Sequence, residues 1–396
     1  MRRLGLVFAS LATALALTAC GGTGAGGGGT AAPAPSGDAG SSAPASSAPA
    51  AGDTLIGVAM PTQTSERWIA DGTAVKEGLE KLGYKVDLQY ANDDIPTQTQ
   101  QVDAMITAGA KLLIIAAIDG TALTSQLETA ASKGIKVISY DRLIRDSKNV
   151  DFYTTFDNYA VGVAQANALL FGLGVTDKDG KATGKAEKGQ NIELFAGSLD
   201  DNNAHFFWNG AMDTLKPFLD DGTLVVKSGQ TSIEQAATLR WLQETAQKRM
   251  EDILTSTYGG TGKGLKGVLS PYDGISRGII TALQGVGMGP TIDKGLPIVT
   301  GQDAEIASVK LIVDGVQEST IFKDTRKLAA QAVTVAQAYL EGKEPEANDT
   351  KTYDNGVKVV PSFLLTVDTV YADNVKPLLV DSGYWTEDEV KSGVAS

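Results

Sequence analysis

Gly134-Ile135-Lys136-Val137-Ile138 leads directly into Ser139-Tyr140-Asp141-Arg142. The first five residues have the composition of a buried strand. The apolar run then stops at an acid and a base, side by side. In an open parallel sheet, ligands bind just beyond the carboxyl ends of the strands. An Asp-Arg pair at such an end offers acceptors and a rigid donor fork to a hydroxyl-rich ligand. One strand end of this kind is equally a solvated pair opening a surface loop. What tips the balance is how many similar strand ends the chain carries.

On either side of this stretch, strands and helices alternate. Residues 55–60, 85–90, 111–116 and 152–156 read as further strands, with helices over 68–82, 97–108 and 122–133 between them. The unbroken apolar run Leu112-Leu113-Ile114-Ile115 suits a sheet covered on both faces. A second series follows, with strands at 191–196, 224–226, 267–270, 297–300 and 318–322 and helices at 160–171, 204–219, 233–254, 274–285, 305–313 and 327–341. Residues 177–188 read as a polar insertion. Such alternation builds parallel sheets from βαβ units, and there are too many strands for one domain of common size. The fold class is therefore α/β, with two doubly wound parallel-sheet lobes.

Polar groups recur at the strand ends of both series: Ser65-Glu66-Arg67-Trp68, Asp119, Asp141-Arg142, Asp200-Asp201-Asn202-Asn203, Tyr272-Asp273, Gln302-Asp303 and Lys323-Asp324. Any one of them is explained as a helix cap. Their recurrence describes a cleft rich in Asp, Asn, Arg and Lys, with Trp nearby. That composition suits a sugar, whose hydroxyls take planar polar groups and whose C–H faces take indoles.

Composition narrows the alternatives. The formal charge of −13 over 396 residues argues against a nucleic-acid partner, which needs a basic surface. With one Cys and one His, an internal disulfide is impossible and zinc or Cys-His chemistry is disfavoured. No cofactor or metal is expected. His205 carries no assignment. Gly259-Gly260-Thr261-Gly262-Lys263-Gly264 lacks the spacing of a phosphate loop and precedes a strand, so it reads as a turn.

The head of the chain is an address. Met1-Arg2-Arg3 and the apolar run 4–17 form a secretion signal too short to span a membrane. Leu17-Thr18-Ala19-Cys20 followed by Gly21 resembles a bacterial lipobox, which implies cleavage before Cys20 and lipidation of its sulfur. Residues 21–52 are almost entirely Gly, Ala, Ser, Thr and Pro and are expected to form a disordered tether. A coil of that length reaches roughly 30 Å.

These motifs, with Phe156-Asp157-Asn158, Ser270-Pro271-Tyr272-Asp273-Gly274, Gly301-Gln302-Asp303-Ala304 and Asn355-Gly356-Val357-Lys358-Val359-Val360-Pro361-Ser362, resemble the periplasmic sugar-binding proteins of the type I (ribose/xylose) group. Within that group the chain is most similar to the ChvE-like multiple-sugar-binding branch, then to the xylose-binding branch. The resemblance implies lobes at 53–156 plus 324–358 and 157–323 plus 359–396, joined by a three-crossing hinge. It implies Arg67 as a donor and Trp68 as a stacking ring, and Asp141 and Arg142 as the pair gripping ring hydroxyls. Asp201 and Asn203 would contact the sugar from the far lobe, and Trp241 would cover its other face. Asp303 and Lys323 would be the last acceptor and donor. Where simpler relatives show Asn-Asp, this chain has Tyr272-Asp273, so either residue is a candidate contact.

The implied function is a monomeric, lipid-anchored, extracytoplasmic receptor that delivers a monosaccharide to an ABC transporter permease. A sensor that presents the loaded receptor to a histidine kinase ectodomain is compatible with the same residues. A two-carboxylate glycosidase is the enzymatic alternative. It is disfavoured because the carboxylates sit among sugar-gripping donors. A sugar-responsive repressor would need a basic DNA-reading helix pair in place of the secretion signal.

Overall fold

The computed structural model describes residues 51–396; the expected signal, Cys20 and most of the tether lie outside the described residues. Ala51–Asp53 form a 3-10 turn where the last tether residues were expected to be disordered, and Asp53 pairs with Lys85 at 3.2 Å.

The first lobe opens with β1 (Leu55–Met60), α1 (Glu66–Lys81), β2 (Lys85–Tyr90), α2 (Ile95–Thr107), β3 (Leu112–Ile115), α3 (Thr124–Ser132), β4 (Lys136–Tyr140) and β5 (Phe152–Phe156). The chain then passes to α4 (Asn158–Gly172), β6 (Gln190–Leu194), α5 (Asn202–Asp220), β7 (Leu224–Val226), α6 (Ile233–Ala236), α7 (Gln243–Tyr258), β8 (Leu265–Leu269), α8 (Asp273–Gly285), β9 (Ile298–Val299), α9 (Ile306–Val313) and β10 (Thr320–Phe322). It ends with α10 (Thr325–Leu340), β11 (Ser362–Leu365), β12 (Asp368–Val370) and α11 (Glu387–Ser392).

The first sheet is six-stranded, in the order β11-β5-β4-β3-β1-β2, and every pair in it is parallel. The second is four-stranded, β7-β6-β8-β9, and also parallel. Alternation within the apolar runs sorts side chains to opposite faces. Leu113 and Ile115 join the core under α2 and α3, while Leu112 and Ile114 join the one under α1 and α10. In the second sheet Val268 packs toward α7 and α8, and Leu269 toward α4 and α5. Both sheets are thus covered on both faces, which is why their strands read as continuous apolar runs.

Two expectations need correction. The first concerns the tail. Residues 359–396 were expected wholly in the second lobe, but β11 pairs with β5 in the first sheet, Ser362 opposite Tyr153 and Leu365 opposite Phe156. The third crossing therefore falls between Leu365 and Asp368, where the chain leaves to form the antiparallel pair β12-β10. The second concerns 233–254, which reads as one long helix but is broken. Ala237 bridges Ala196, and Thr238 N donates to Gly197 O at 3.2 Å. Arg240 and Trp241 then take left-handed backbone angles (φ 56° and 58°) before α7 begins. Pairing with the end of β6 outcompetes helix continuity.

Candidate functional site

The turn after β4 is built by Ser139. Its Oγ donates to Arg142 O at 2.6 Å and accepts from Ile144 N at 2.9 Å. This closes the chain into a tight reversal that leaves Asp141 in the left-handed region, φ 58°. Such a conformation costs roughly 1–3 kcal/mol and persists only where its surroundings over-determine it. Here the Asp141 carbonyl accepts from Tyr153 OH at 2.6 Å, Thr155 Oγ1 at 2.9 Å and Asn203 Nδ2 at 2.9 Å. The last donor comes from the opposite lobe.

The Asp141 side chain belongs to a closed ring of alternating charge. Arg67 Nη2 lies 2.9 Å from Asp141 Oδ2, and Arg67 Nη1 lies 3.5 Å from Asp303 Oδ1. Lys323 Nζ completes the ring, 3.0 Å from Asp303 Oδ1 and 3.8 Å from Asp141 Oδ2. Burial pushes the Asp141 carboxyl up, but Arg67, Lys323 and Arg142 together hold it below the usual carboxylate range. Burial likewise opposes charge on Arg67, and Asp141, Asp71 and Asp303 outweigh it. Behind the ring, Asp71 accepts from Arg67 Nε at 3.0 Å and from Tyr140 OH, and its burial raises it to about 6.

A second pair spans the cleft. Arg142 Nε lies 3.0 Å from Asp201 Oδ2. Asp201 also caps α5, accepting from Asn203 N at 2.9 Å, so its two candidate roles, cap and cleft residue, are both filled. Burial raises the Asp201 carboxyl, opposed by Arg142.

Aromatic rings close the two sides. The Trp68 ring has the guanidinium carbons of Arg67 and Arg142 at 4.5 and 5.1 Å from its centroid. From the second lobe, Trp241 meets Tyr272 and Phe207 edge-on, each at 6.2 Å between centroids. The left-handed kink at Trp241 lays its indole against Gly197, so tightly that no β-carbon fits there.

One cleft is lined by Arg67, Trp68, Asp141, Arg142, Asp201, Asn203, Trp241, Tyr272, Asp303 and Lys323. Of the candidate pair, Tyr272 lines it and Asp273 does not. Asp273 is 0 % exposed, behind the wall, and accepts from Glu305 N at 2.9 Å, Gln317 Nε2 at 2.9 Å and Thr320 Oγ1 at 3.0 Å. It is a structural residue, and burial holds its carboxyl well above the usual range. Asp119 likewise stays in its own turn, accepting from Thr121 N at 2.8 Å.

The cleft also contains residues not singled out above, among them Thr62, Asp93, Arg240, Gln243 and Arg277. Asp93 follows β2 and carried the same strand-end signal as Asp141. Arg240, ion-paired to Asp200, and Gln243 were hidden by the apparent helix through them. Among the described residues, no group of three or more His, Cys, Asp or Glu side chains is arranged to hold a metal. No helix among them is long and apolar enough to cross a membrane.

Two parallel-sheet lobes, three crossings and a polar inter-lobe cleft walled by indoles define a two-lobed solute-binding receptor. Residues 56–344 match the family model described as a periplasmic binding protein domain, and the chain belongs to that family. It is 56% identical over 336 residues to the multiple sugar-binding periplasmic receptor ChvE of Rhizobium radiobacter, covering 85% of this chain and 92% of that one. It is 35% identical over 340 residues to the D-xylose-binding periplasmic protein of Escherichia coli K12, covering 86% and 93%. An ABC transporter solute binding protein from Clostridium phytofermentans, solved with bound β-D-glucose, superposes with a TM-score of 0.80 at 47% identity, covering 85% of this chain and 100% of that one. These relatives are binding proteins, and the chain is a receptor of their kind, not an enzyme.

Proposed function

We propose that this receptor captures an aldose of the glucose, galactose or xylose type in the inter-lobe cleft and delivers it to an ABC sugar permease. A lipid on Cys20 would hold it at the outer face of the cell membrane. The observation that carries the reading is the meeting, in one cleft, of the Arg67-Asp141-Lys323-Asp303 ring with two indoles. Charged donors and acceptors make the shorter, stronger hydrogen bonds that a hydroxyl can exploit from either side. Indole faces match the apolar C–H faces of a pyranose. The names of the relatives, for multiple sugars, D-xylose and β-D-glucose, support the same ligand class.

A thermal-shift screen of the purified protein against common monosaccharides tests it. A ligand at a hundred times its dissociation constant stabilises the fold by about 2.7 kcal/mol, which raises Tm by a few degrees. A shift with D-glucose, D-galactose or D-xylose is expected. No shift across the panel would reject the aldose reading and move the search to acidic sugars and cyclic polyols.

A further inference from the structure

Ser65-Glu66-Arg67-Trp68 lines the cleft through Ser65, Arg67 and Trp68, while Ser65 and Glu66 also bond to the other lobe. Ser65 is the N-cap of α1 and Glu305 the N-cap of α9, one in each lobe. Ser65 Oγ donates to Glu305 Oε1 at 2.7 Å, and Ile306 N donates to Glu66 Oε2 at 3.2 Å. Adjacent residues of one lobe thus hold adjacent residues of the other, in opposite senses. The Glu66 carboxylate sits at the start of α9, where free N–H groups and the helix dipole favour negative charge.

Glu305 is only 3 % exposed and has no spare oxygen. Oε1 also accepts from Tyr272 OH at 2.6 Å, and Oε2 from Arg277 Nη2 at 2.6 Å. Its backbone N–H is fixed by Asp273 at 2.9 Å. One buried carboxylate therefore ties a cleft-lining ring, Tyr272, to the helix that carries Arg67 and Trp68.

We propose that Ser65, Glu66 and Glu305 form an inter-lobe clasp that sets how long a ligand is held. They are positioning residues: they act by keeping α1, with Arg67 and Trp68, against the second lobe. The proposal rests on the sugar-binding reading of the cleft. The clasp exists only while the lobes meet, so losing it acts on release and not on capture.

Association and dissociation rates of D-glucose, D-galactose and D-xylose, measured on the parent protein and on Ser65→Ala, Glu66→Ala, Glu305→Gln and Ser65→Ala/Glu305→Gln, provide the test. Hydrogen bonds to charged groups predict that Ser65→Ala raises the dissociation rate roughly tenfold or more, equally for every sugar the parent binds. Association is unchanged, Glu66→Ala behaves likewise, and the double variant adds little beyond its singles. Unchanged dissociation in both Ser65→Ala and Glu66→Ala overturns the clasp. So does an effect that differs from sugar to sugar, which would make Ser65 a direct ligand contact. Should Glu305→Gln fail to fold, the Ser65 and Glu66 variants decide alone. Should the parent bind none of the three sugars, the functional reading fails and the clasp is read separately by small-angle scattering: more extended Ser65→Ala and Glu66→Ala proteins support it, and profiles identical to the parent reject it.

Discussion

The indole of Trp241 lies against Gly197, with its six-membered ring over the Cα and no room between them for a β-carbon. The position of the ring is therefore set by a missing side chain. Gly197→Ala must push the indole into the cleft or force the kink at Arg240 and Trp241 to open. Overpacking of this kind costs roughly 1–3 kcal/mol, and here the cost falls on the wall of the cleft. Sugar affinity is expected to drop by a similar amount with the fold retained, measured by calorimetry and far-UV circular dichroism. Parent-like affinity in Gly197→Ala would show that Trp241 does not need this seat.

Asp141 supports both halves of the cleft, its carbonyl holding Asn203 and its carboxylate holding Arg67. Asp141→Ala is expected to weaken sugar binding by about 2–4 kcal/mol, because buried cations and ligand hydroxyls lose their acceptor. Asp141→Asn, which tolerates the left-handed backbone better, separates charge from conformation. Calorimetry showing unchanged affinity in both variants would remove Asp141 from the site.

Asp71 supplies a pH dependence with a defined sign. Its carboxyl is raised from the usual 3.8 to about 6 by burial, against the pull of Arg67. The folded state therefore binds this proton more tightly than the unfolded state does. The contribution to stability grows as pH falls from about 6 towards 4 and is lost as pH rises through that window. Asp71→Asn cannot titrate there. The difference in unfolding free energy between parent and Asp71→Asn, followed by urea titration, is expected to change across that window in the parent's favour on the acid side. A constant difference would refute the raised value.

Cys20→Ala is expected to move the protein from the membrane fraction to the soluble extracytoplasmic fraction. Fractionation and immunoblotting check this, and continued membrane association would reject the lipobox reading.

Much of this site was legible because strand ends are legible. A buried parallel strand is a run of apolar residues, and the first polar residues after it lie at the carboxyl edge of the sheet. Arg142, Asp201, Asp303 and Lys323 were found that way, and all line the cleft. What sequence could not decide was rotation and long-range pairing. Tyr272 and Asp273 are neighbours at the start of one helix, and a single step determines which faces the cleft. Glu305 has no local signal at all: its partners Ser65, Tyr272 and Arg277 are distant in the chain and meet only in the fold. The helical periodicity through Trp241 was real, but the extended pairing of Ala237 and Thr238 with Ala196 and Gly197 overrode it.

The parallel pairing of Ser362–Leu365 with Phe152–Phe156 has a consequence for the order of assembly. The four strands of the second sheet all fall between Gln190 and Val299, an uninterrupted segment. The first sheet lacks its outer strand until residue 365 has been synthesised. The sheet begun first is thus the later of these two sheets to be completed, and its edge stays open until that strand is made. The final shape of the first lobe therefore waits until nearly all of the chain is present.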